Sequence, residues 1–172
     1  MSAPRALKAP AEAVVVLSDE LLERTLDASR QSDRRRMILP FHKSAEESPH
    51  RMFNAMQPGT YVRPHRHLDP PKSEVFLLLR GALDFIVFDE HGAITFARRL
   101  EAGTPEFGID IAPRLFHGIV VRAPDTLIYE VKPGPYTAAS DKDFAPWAPV
   151  ENSDGVAAYV RDLDAALERF RA

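Results

Sequence analysis

The chain has 172 residues, of which 45% are hydrophobic and 27% charged, a composition typical of a globular protein. Its 22 Lys and Arg are outnumbered by 25 Asp and Glu, and this formal net charge of −3 argues against nucleic acid or an anionic membrane surface as a partner. The absence of cysteine excludes disulfides, thiolate nucleophiles and Cys-ligated zinc. No apolar run approaches the roughly 18 residues of a membrane span, and residues 1–8 lack the apolar stretch of a signal peptide, so a cytoplasmic location is expected.

The N-terminal segment is predicted to form a leader and one helix. Residues 1–13 are rich in Ala and Pro and predict a loose leader, and the apolar run Val14–Leu17 predicts an edge strand. Ser18 has the chemistry of a helix N-cap, and apolar residues then recur at helical spacing, so we predict a helix over residues 19–30. The run Arg34–Arg36 is interpreted as a solvated helix end or a dimer contact, with a contact to an anionic ligand as the alternative, because the overall charge disfavours nucleic acid.

Between residues 37 and 132 the pattern changes to short apolar runs separated by turn residues. Eight or nine such strands at this spacing are typical of a β-sandwich or barrel. The predicted strands are residues 37–41, 51–56, 61–63, 74–79, 82–88, 94–100, 107–111, 118–121 and 127–132.

The end of the chain carries two further segments. Four prolines between residues 133 and 150 argue against a regular element there, and three aromatic residues in the same stretch predict that it packs on the barrel surface. Apolar residues then return at helical spacing and predict an amphipathic helix over residues 155–170. The chain is therefore divided into an N-terminal leader and helix (1–36), a β-barrel (37–150) and a C-terminal helix (151–172).

The sequence Pro64-His65-Arg66-His67 is the main candidate for chemistry. Side chains two residues apart point to the same side of an extended strand, so His65 and His67 can reach one metal ion. Glu74 and His117 each open a later apolar run, and metal sites combine imidazoles with a carboxylate while leaving positions for water or substrate. Ligands from three strands converge inside a barrel. The four predicted ligands suit one divalent transition metal, which could be Fe, Zn, Mn, Ni, Co or Cu.

At these residues the sequence resembles the cupin superfamily. The first cupin motif is a glycine, five residues, His-x-His, a short spacer, a glutamate, six residues and a second glycine. Six residues stand in the spacer here, where three or four are usual. Glu74 is preferred as the ligand because it keeps the spacing to the second glycine, with Asp69 as the alternative ligand. The residues that match the motif are Gly59, His65, His67, Glu74 and Gly81.

The second cupin motif is matched more loosely. Gly108 and Pro113 precede His117, but Arg114 stands where the motif has its second glycine, and Val121 replaces its asparagine. The resemblance implies an all-β fold, the cupin double-stranded β-helix or jelly-roll barrel, with His117 as a ligand. Helices are expected at both ends of this barrel.

Three stretches carry a closer resemblance: residues 64–72, 129–136 and 141–147. They are similar to the WbuC-type cupin-fold metalloproteins over residues 35–150. That family is often linked with bacterial surface-polysaccharide gene clusters, so the resemblance implies a metalloprotein of polysaccharide biosynthesis. It leaves the reaction open.

Four further residues are predicted to line a substrate pocket. Arg63 lies on the side of the paired histidines by the period of two, and could contact an anionic substrate or leave the barrel at its rim. Glu130 could orient a ligand imidazole, or face outward and pair with a cation. His42 and Tyr129 complete the predicted pocket.

The leading functional hypothesis is a metal-dependent cupin enzyme, of isomerase or dioxygenase type, acting on a small, polar, sugar-derived molecule. The second hypothesis is a metal-free sugar-nucleotide epimerase with His65 and Asp84 or Asp69 as base and Tyr129 or Tyr136 as acid. The third hypothesis is a non-enzymatic ligand-binding or sensor protein. A homodimer is expected because cupin barrels commonly pair through sheet edges.

Overall fold

The computed structural model describes residues 4–137 and 141–170, and these residues form ten strands, two α-helices and a final 3-10 turn. All ten strands lie between the two helices in chain order, with no other regular element among the described residues. In chain order the elements are α1 (Asp19–Gln31), β1 (Arg36–Pro40), β2 (His50–Met56), β3 (His65–Arg66), β4 (Glu74–Arg80), β5 (Ala82–Phe88), β6 (Ile94–Glu101), β7 (Gly108–Ile111), β8 (Phe116–Val121), β9 (Thr126–Lys132), β10 (Asp143–Phe144), α2 (Val156–Leu167) and the 3-10 turn Glu168–Phe170.

The strands form two five-stranded sheets that pack face to face. The first sheet has the order β1-β2-β9-β4-β7 and the second has the order β10-β3-β8-β5-β6. All neighbouring strands within each sheet are antiparallel. Consecutive strands repeatedly change sheet, which is the connectivity of a jelly-roll barrel. The predicted all-β architecture with a helix at each end is confirmed.

The space between the sheets and parts of both outer faces are packed, which gives three hydrophobic clusters. In β5, Leu83 and Phe85 point into the space between the sheets, whereas Ile86 and Phe88 point outward against α2 and the segment before it. The outer face of the first sheet is covered by α1, which contributes the fully buried Leu26. A strand buried on both faces reads as a continuous apolar run, which explains the sequence of β5.

The two helices begin and pack as their sequences predict. The side chain of Ser18 accepts a hydrogen bond from the backbone N–H of Leu21 at 3.4 Å, which makes it the N-cap of α1. α2 ends one turn before the predicted limit, and a 3-10 turn continues it to Phe170. Across residues 4–137 and 141–170, no helix has both the length and the apolar character needed to cross a membrane.

Two predicted strands are wrong and one strand was not foreseen. Val14–Leu17 forms no strand, and Val14 and Val16 are more than 70% exposed. Residues 61–63 form no strand, and pairing begins only at His65. Conversely, β10 lies within the proline-rich stretch, where its two residues pair with β3. Propensity alone could not reveal β10, because its formation depends on an open edge supplied by another part of the chain.

The arginine cluster stabilises the fold from within. Arg36 is buried in β1 and its Nη2 lies 2.5 Å from Oε1 of Glu151, which also contacts Nε of Arg34 at 3.2 Å. The interpretation of these two arginines as a solvated helix end is therefore wrong. They hold the segment that leads into α2 against the start of the first sheet.

Candidate metal centre

Strand pairing brings two of the predicted ligands face to face. His65 in β3 is the register partner of His117 in β8, and their ring centroids lie 4.8 Å apart. Residues directly opposite in an antiparallel pair place their side chains on the same face. Both imidazoles therefore point into the space between the sheets, although they are separated by more than fifty residues in sequence.

The other two predicted ligands approach from the end of β3 and from the opposite sheet. His67 follows β3 directly, and Glu74 is the first residue of β4 in the first sheet. The two oxygens of Glu74 lie 3.0 Å from Nε2 of His67 and 3.1 Å from Nε2 of His117. Ligand atoms of all four residues lie within 4.8 Å of one another, and all four side chains are buried. This group could hold one metal ion.

The backbone fixes the tautomer of each histidine. Nδ1 of His65 donates to the carbonyl oxygen of Arg63 at 3.0 Å, and Nδ1 of His117 donates to that of Leu115 at 3.0 Å. Nδ1 of His67 donates to the carbonyl oxygen of Asp141. With the proton held on Nδ1, each ring presents the lone pair of Nε2 to the centre, which is the arrangement that metal-ligating histidines require.

The unpaired atoms of the centre fit a metal ion. Nε2 of His67, Nε2 of His117 and Oε2 of Glu74 are buried and make no hydrogen bond with any described residue, even though they lie close to one another. Buried polar atoms without a partner are rare and costly. A cation at their common point would satisfy all three at once, and three imidazoles with one carboxylate suit a divalent transition metal.

Electrostatics hold the ligands in the protonation states that ligation needs. Burial, assisted by the charges of Lys142 and His117, lowers the pKa of His65 well below its usual value. Burial by itself would raise the pKa of Glu74, but contacts with His117 and His67 and the charge of Lys132 hold this pKa well below its usual value. A neutral imidazole and an ionised carboxylate are the forms that bind metal.

An ionic network that the sequence analysis missed surrounds the centre. Nζ of Lys132 lies 3.5 Å from Glu74, 3.8 Å from Glu130 and 3.1 Å from Asp141. Asp141 also binds Nζ of Lys72 at 2.8 Å. Burial opposes the charge of Lys132, but the three carboxylates raise its pKa above its usual value. A period of two along β9 could have suggested that Lys132 shares a face with Glu130.

Two of the four predicted pocket residues lie beside the centre. Glu130 is buried and faces inward from β9, where Nδ2 of Asn54 donates to it at 3.2 Å. It contacts Lys132 rather than a ligand imidazole. Arg63 donates to the carbonyl oxygen of Ala145 at 2.7 Å and lies over the ring of Phe144. The side chain of Arg63 is therefore held by β10 and the residue that follows it.

The structure does not bring the other two predicted pocket residues to the centre. Tyr129 is adjacent to Glu130 in β9 and so points to the opposite face, where it contacts Phe41 and Phe53 under α1. His42 stacks on His50 with ring centroids 4.0 Å apart, and burial lowers its pKa.

The alternative roles for aspartates receive no support from the geometry. Asp69 is exposed and is not part of the group that could hold a metal. Asp84 accepts hydrogen bonds from Nε of Arg99 and, at 2.6 Å, from Nε of Arg122. Because Nδ1 of His65 is bound to a backbone carbonyl, this ring has no aspartate partner among the described residues.

Comparison with known proteins gives one family match and several structural matches. Residues 17–100 match a family described as a domain of unknown function (DUF6016). A search of curated proteins found no match. Among solved structures, the chain is similar to the L-ribose isomerase of Cellulomonas parahominis, with a TM-score of 0.53, 14% identity and coverage of 66% of this chain and 70% of that chain.

Two further structures are similar. The L-ribose isomerase of Geodermatophilus obscurus has a TM-score of 0.50 and 14% identity, with coverage of 66% of this chain and 70% of that chain. KdgF from Halomonas sp. has a TM-score of 0.45 and 17% identity, with coverage of 60% of this chain and 82% of that chain. At such identities the isomerases share the fold alone. Together with two five-stranded antiparallel sheets that enclose the histidines, this likeness shows that the chain has the cupin fold.

Proposed function

We propose that this protein is a metal-dependent enzyme of the cupin fold that acts on a small polar substrate. One observation carries the proposal: three imidazoles, each with its proton held on Nδ1 by a backbone carbonyl, converge with one carboxylate on a single buried point. A core built only for stability would not leave three buried polar atoms without hydrogen bonds among the described residues. Cation binding accounts for both features.

A divalent ion bound there would supply Lewis acidity for a carbonyl or enediol oxygen. The chain's own residues supply the rest of the chemistry. Lys132 keeps Glu74 ionised by direct contact at 3.5 Å. Glu130 is a buried, inward-facing carboxylate that touches none of the ligand histidines, and it is our candidate for moving a proton to or from a bound substrate.

The metal, the reaction and the substrate form the finer part of the proposal. Three nitrogen ligands and one carboxylate are compatible with Fe, Zn, Mn, Ni, Co and Cu, and both isomerase and dioxygenase chemistry use such sites. A sugar-derived substrate linked to surface polysaccharides is proposed on the sequence resemblance. The histidine–aspartate pair of a metal-free epimerase finds no support in the surroundings of His65.

Metal analysis of the purified protein tests this proposal. We expect about one transition-metal ion per chain by inductively coupled plasma mass spectrometry, and a content under about 0.2 per chain after gentle purification would contradict it. The variant His117→Gln should lose most of this metal. His91→Gln is the matched control because His91 is exposed in a hairpin turn, and it should keep the metal.

A homodimer and a cytoplasmic location are proposals that rest on the sequence. On the outer face of the first sheet, β4 leaves Leu77 and Leu79 about 40% exposed, which favours pairing through that face. Light scattering at micromolar concentration should give the mass of two chains. A monomer would contradict the proposed pairing without affecting the metal centre.

A further inference from the structure

The spacer between His67 and Glu74 is longer than that of the cupin motif, and none of its six residues is a proposed ligand. It folds back on itself, because Leu68 and Pro71 pair as an isolated antiparallel bridge and the two residues between them are exposed. The next residue, Lys72, is only 4% exposed. The spacer therefore makes a turn at the surface and returns to the interior with a lysine.

Lys72 binds two acceptors in the interior. Its Nζ donates to Oδ1 of Asp141 at 2.8 Å and to the backbone carbonyl oxygen of Pro135 at 2.5 Å. The side chains of Lys72 and Asp141 are 3% and 2% exposed. Because the removal of two charges from water is costly, a buried ion pair often stabilises a fold no better than apolar residues of similar volume. Stability alone is therefore a weak explanation for this pair.

Asp141 acts on two of the four proposed ligands. Its backbone carbonyl oxygen accepts the Nδ1 proton of His67, a contact that fixes the tautomer and the direction of the ring. Its Oδ2 lies 3.1 Å from Nζ of Lys132, and this Nζ lies 3.5 Å from Oε1 of Glu74. The position of Asp141 therefore affects His67 directly and Glu74 through one lysine.

His67 differs from the other two ligand histidines in the origin of its carbonyl partner. His65 and His117 each donate to a carbonyl oxygen only two residues earlier in the chain, so local geometry orients these rings. The partner of His67 lies 74 residues away in sequence. The direction of the His67 ring therefore depends on whatever holds Asp141 in place.

We propose that the lengthened spacer is a positioning device of the metal centre, in which Lys72 holds Asp141 so that its backbone carbonyl aims Nε2 of His67 at the metal ion. This inference rests on the proposed function and adds a positioning role for two residues that ligate no metal. It also gives the departure of the spacer from the cupin motif a physical purpose, since the added turn is what delivers Lys72 to Asp141.

The variant Lys72→Met tests the inference, because a positioning role and a role through charge alone predict opposite signs. Methionine keeps an unbranched apolar side chain but removes the positive charge and both hydrogen bonds. Through charge alone, this change would strengthen the binding of a divalent cation. Loss of positioning should instead weaken Co²⁺ binding by about tenfold or more and change the visible absorption of the bound ion. Competition with a chromophoric chelator on the full chain measures the affinity, and Lys8→Met, which changes an exposed lysine, should leave it unchanged.

Proton exchange at the histidines gives a second measurement that needs no metal. In the metal-free chain, the Nδ1 proton of His67 should exchange with water faster in K72M than in the unmodified chain, because its acceptor is no longer held. The Nδ1 protons of His65 and His117 are the internal controls, since their acceptors are local and their exchange should not change. Nuclear magnetic resonance of the imidazole protons follows all three.

The outcomes separate this inference from the proposed function. An unmodified chain that binds no metal would contradict both. Equal or tighter Co²⁺ binding in K72M, or faster exchange at all three histidines alike, would overturn the inference and leave the metal centre intact. Weaker binding together with faster exchange at His67 alone supports it. Circular dichroism checks that K72M folds, and if it does not, Lys72→Gln, which keeps one donor, should show a smaller loss of affinity in the same direction, whereas a gain would overturn the inference.

Discussion

Replacing Glu74 by glutamine removes the one negative charge among the four candidate ligands and keeps the shape of the side chain. Glu74 is 3% exposed, and its oxygens lie 3.0 and 3.1 Å from the Nε2 atoms of His67 and His117. Changes to residues that merely support metal ligands typically reduce affinity by about 10- to 100-fold. Loss of a charged ligand should exceed this range, so E74Q is expected to weaken metal binding by at least about 100-fold, or about 2.7 kcal/mol.

Competition with a chromophoric chelator measures this difference directly, with Glu130→Gln as the matched control. Glu130 is a buried carboxylate of the same pocket. Nζ of Lys132 lies 3.8 Å from Oε1 of Glu130 and separates this carboxylate from that of Glu74. Because E130Q removes the same charge without removing a ligand, it should weaken metal binding by less than about tenfold. Equal losses in the two variants would refute the assignment of Glu74 as a ligand and attribute the effect to the net charge of the pocket.

Two further predictions concern the framework around the centre. The variant Asp84→Asn should lower the free energy of unfolding at pH 7 by about 2 kcal/mol, less than a fully buried pair would lose, because Arg99 is 43% exposed. Burial favours the protonated form of Asp84, but hydrogen bonds from Arg99 and Arg122 hold its pKa below the usual value. This contribution is therefore complete above the unfolded-state pKa and is lost as the pH falls through the folded-state pKa, so urea unfolding should show the difference shrinking below about pH 4, and a constant difference would contradict this account. The variant Gly81→Ala should cost about 2–4 kcal/mol, because φ is +73° and the new methyl would lie 2.7 Å from a backbone atom of β9, whereas Gly103→Ala, with φ of +77° and open space, should cost only about 1 kcal/mol. Thermal unfolding compares the two glycine variants, and similar losses would show that the close approach at Gly81 has no energetic weight.

Gly81 shows how far the cupin motif could be interpreted from the sequence alone. The motif's spacing selected Glu74 over Asp69, and the buried position of Glu74 agrees with that choice. The glycine itself is required because β4 turns into β5 with a positive φ and passes close to β9. The spacing from Glu74 to Gly81 therefore reflects a geometric constraint at the turn between β4 and β5, which no single residue of the motif reveals.

For the adjacent residues Tyr129 and Glu130, the sequence could not predict which side chain faces the interior of the barrel. Because side chains alternate along a strand, adjacent residues point to opposite faces. Tyr129 and Glu130 could therefore not both line one pocket. The sequence did not say which face was the inner one, because helices cover the outer faces of both sheets and make them as apolar as the interior. Only the packing of α1 on the first sheet decided that Tyr129 lies outside and Glu130 inside.

The sequence by itself determined the elements that depend on neighbours in the chain. Strand alternation, the Ser18 cap and the pairing of His65 with His67 follow from local periodicity and local hydrogen bonding. The tertiary structure alone decided the pairing of Arg36 with Glu151 and the network that joins Lys132 to Asp141. The physical reason is that Coulomb and hydrogen-bond energies depend on distance in space, and chain folding sets this distance for residues that lie far apart in sequence.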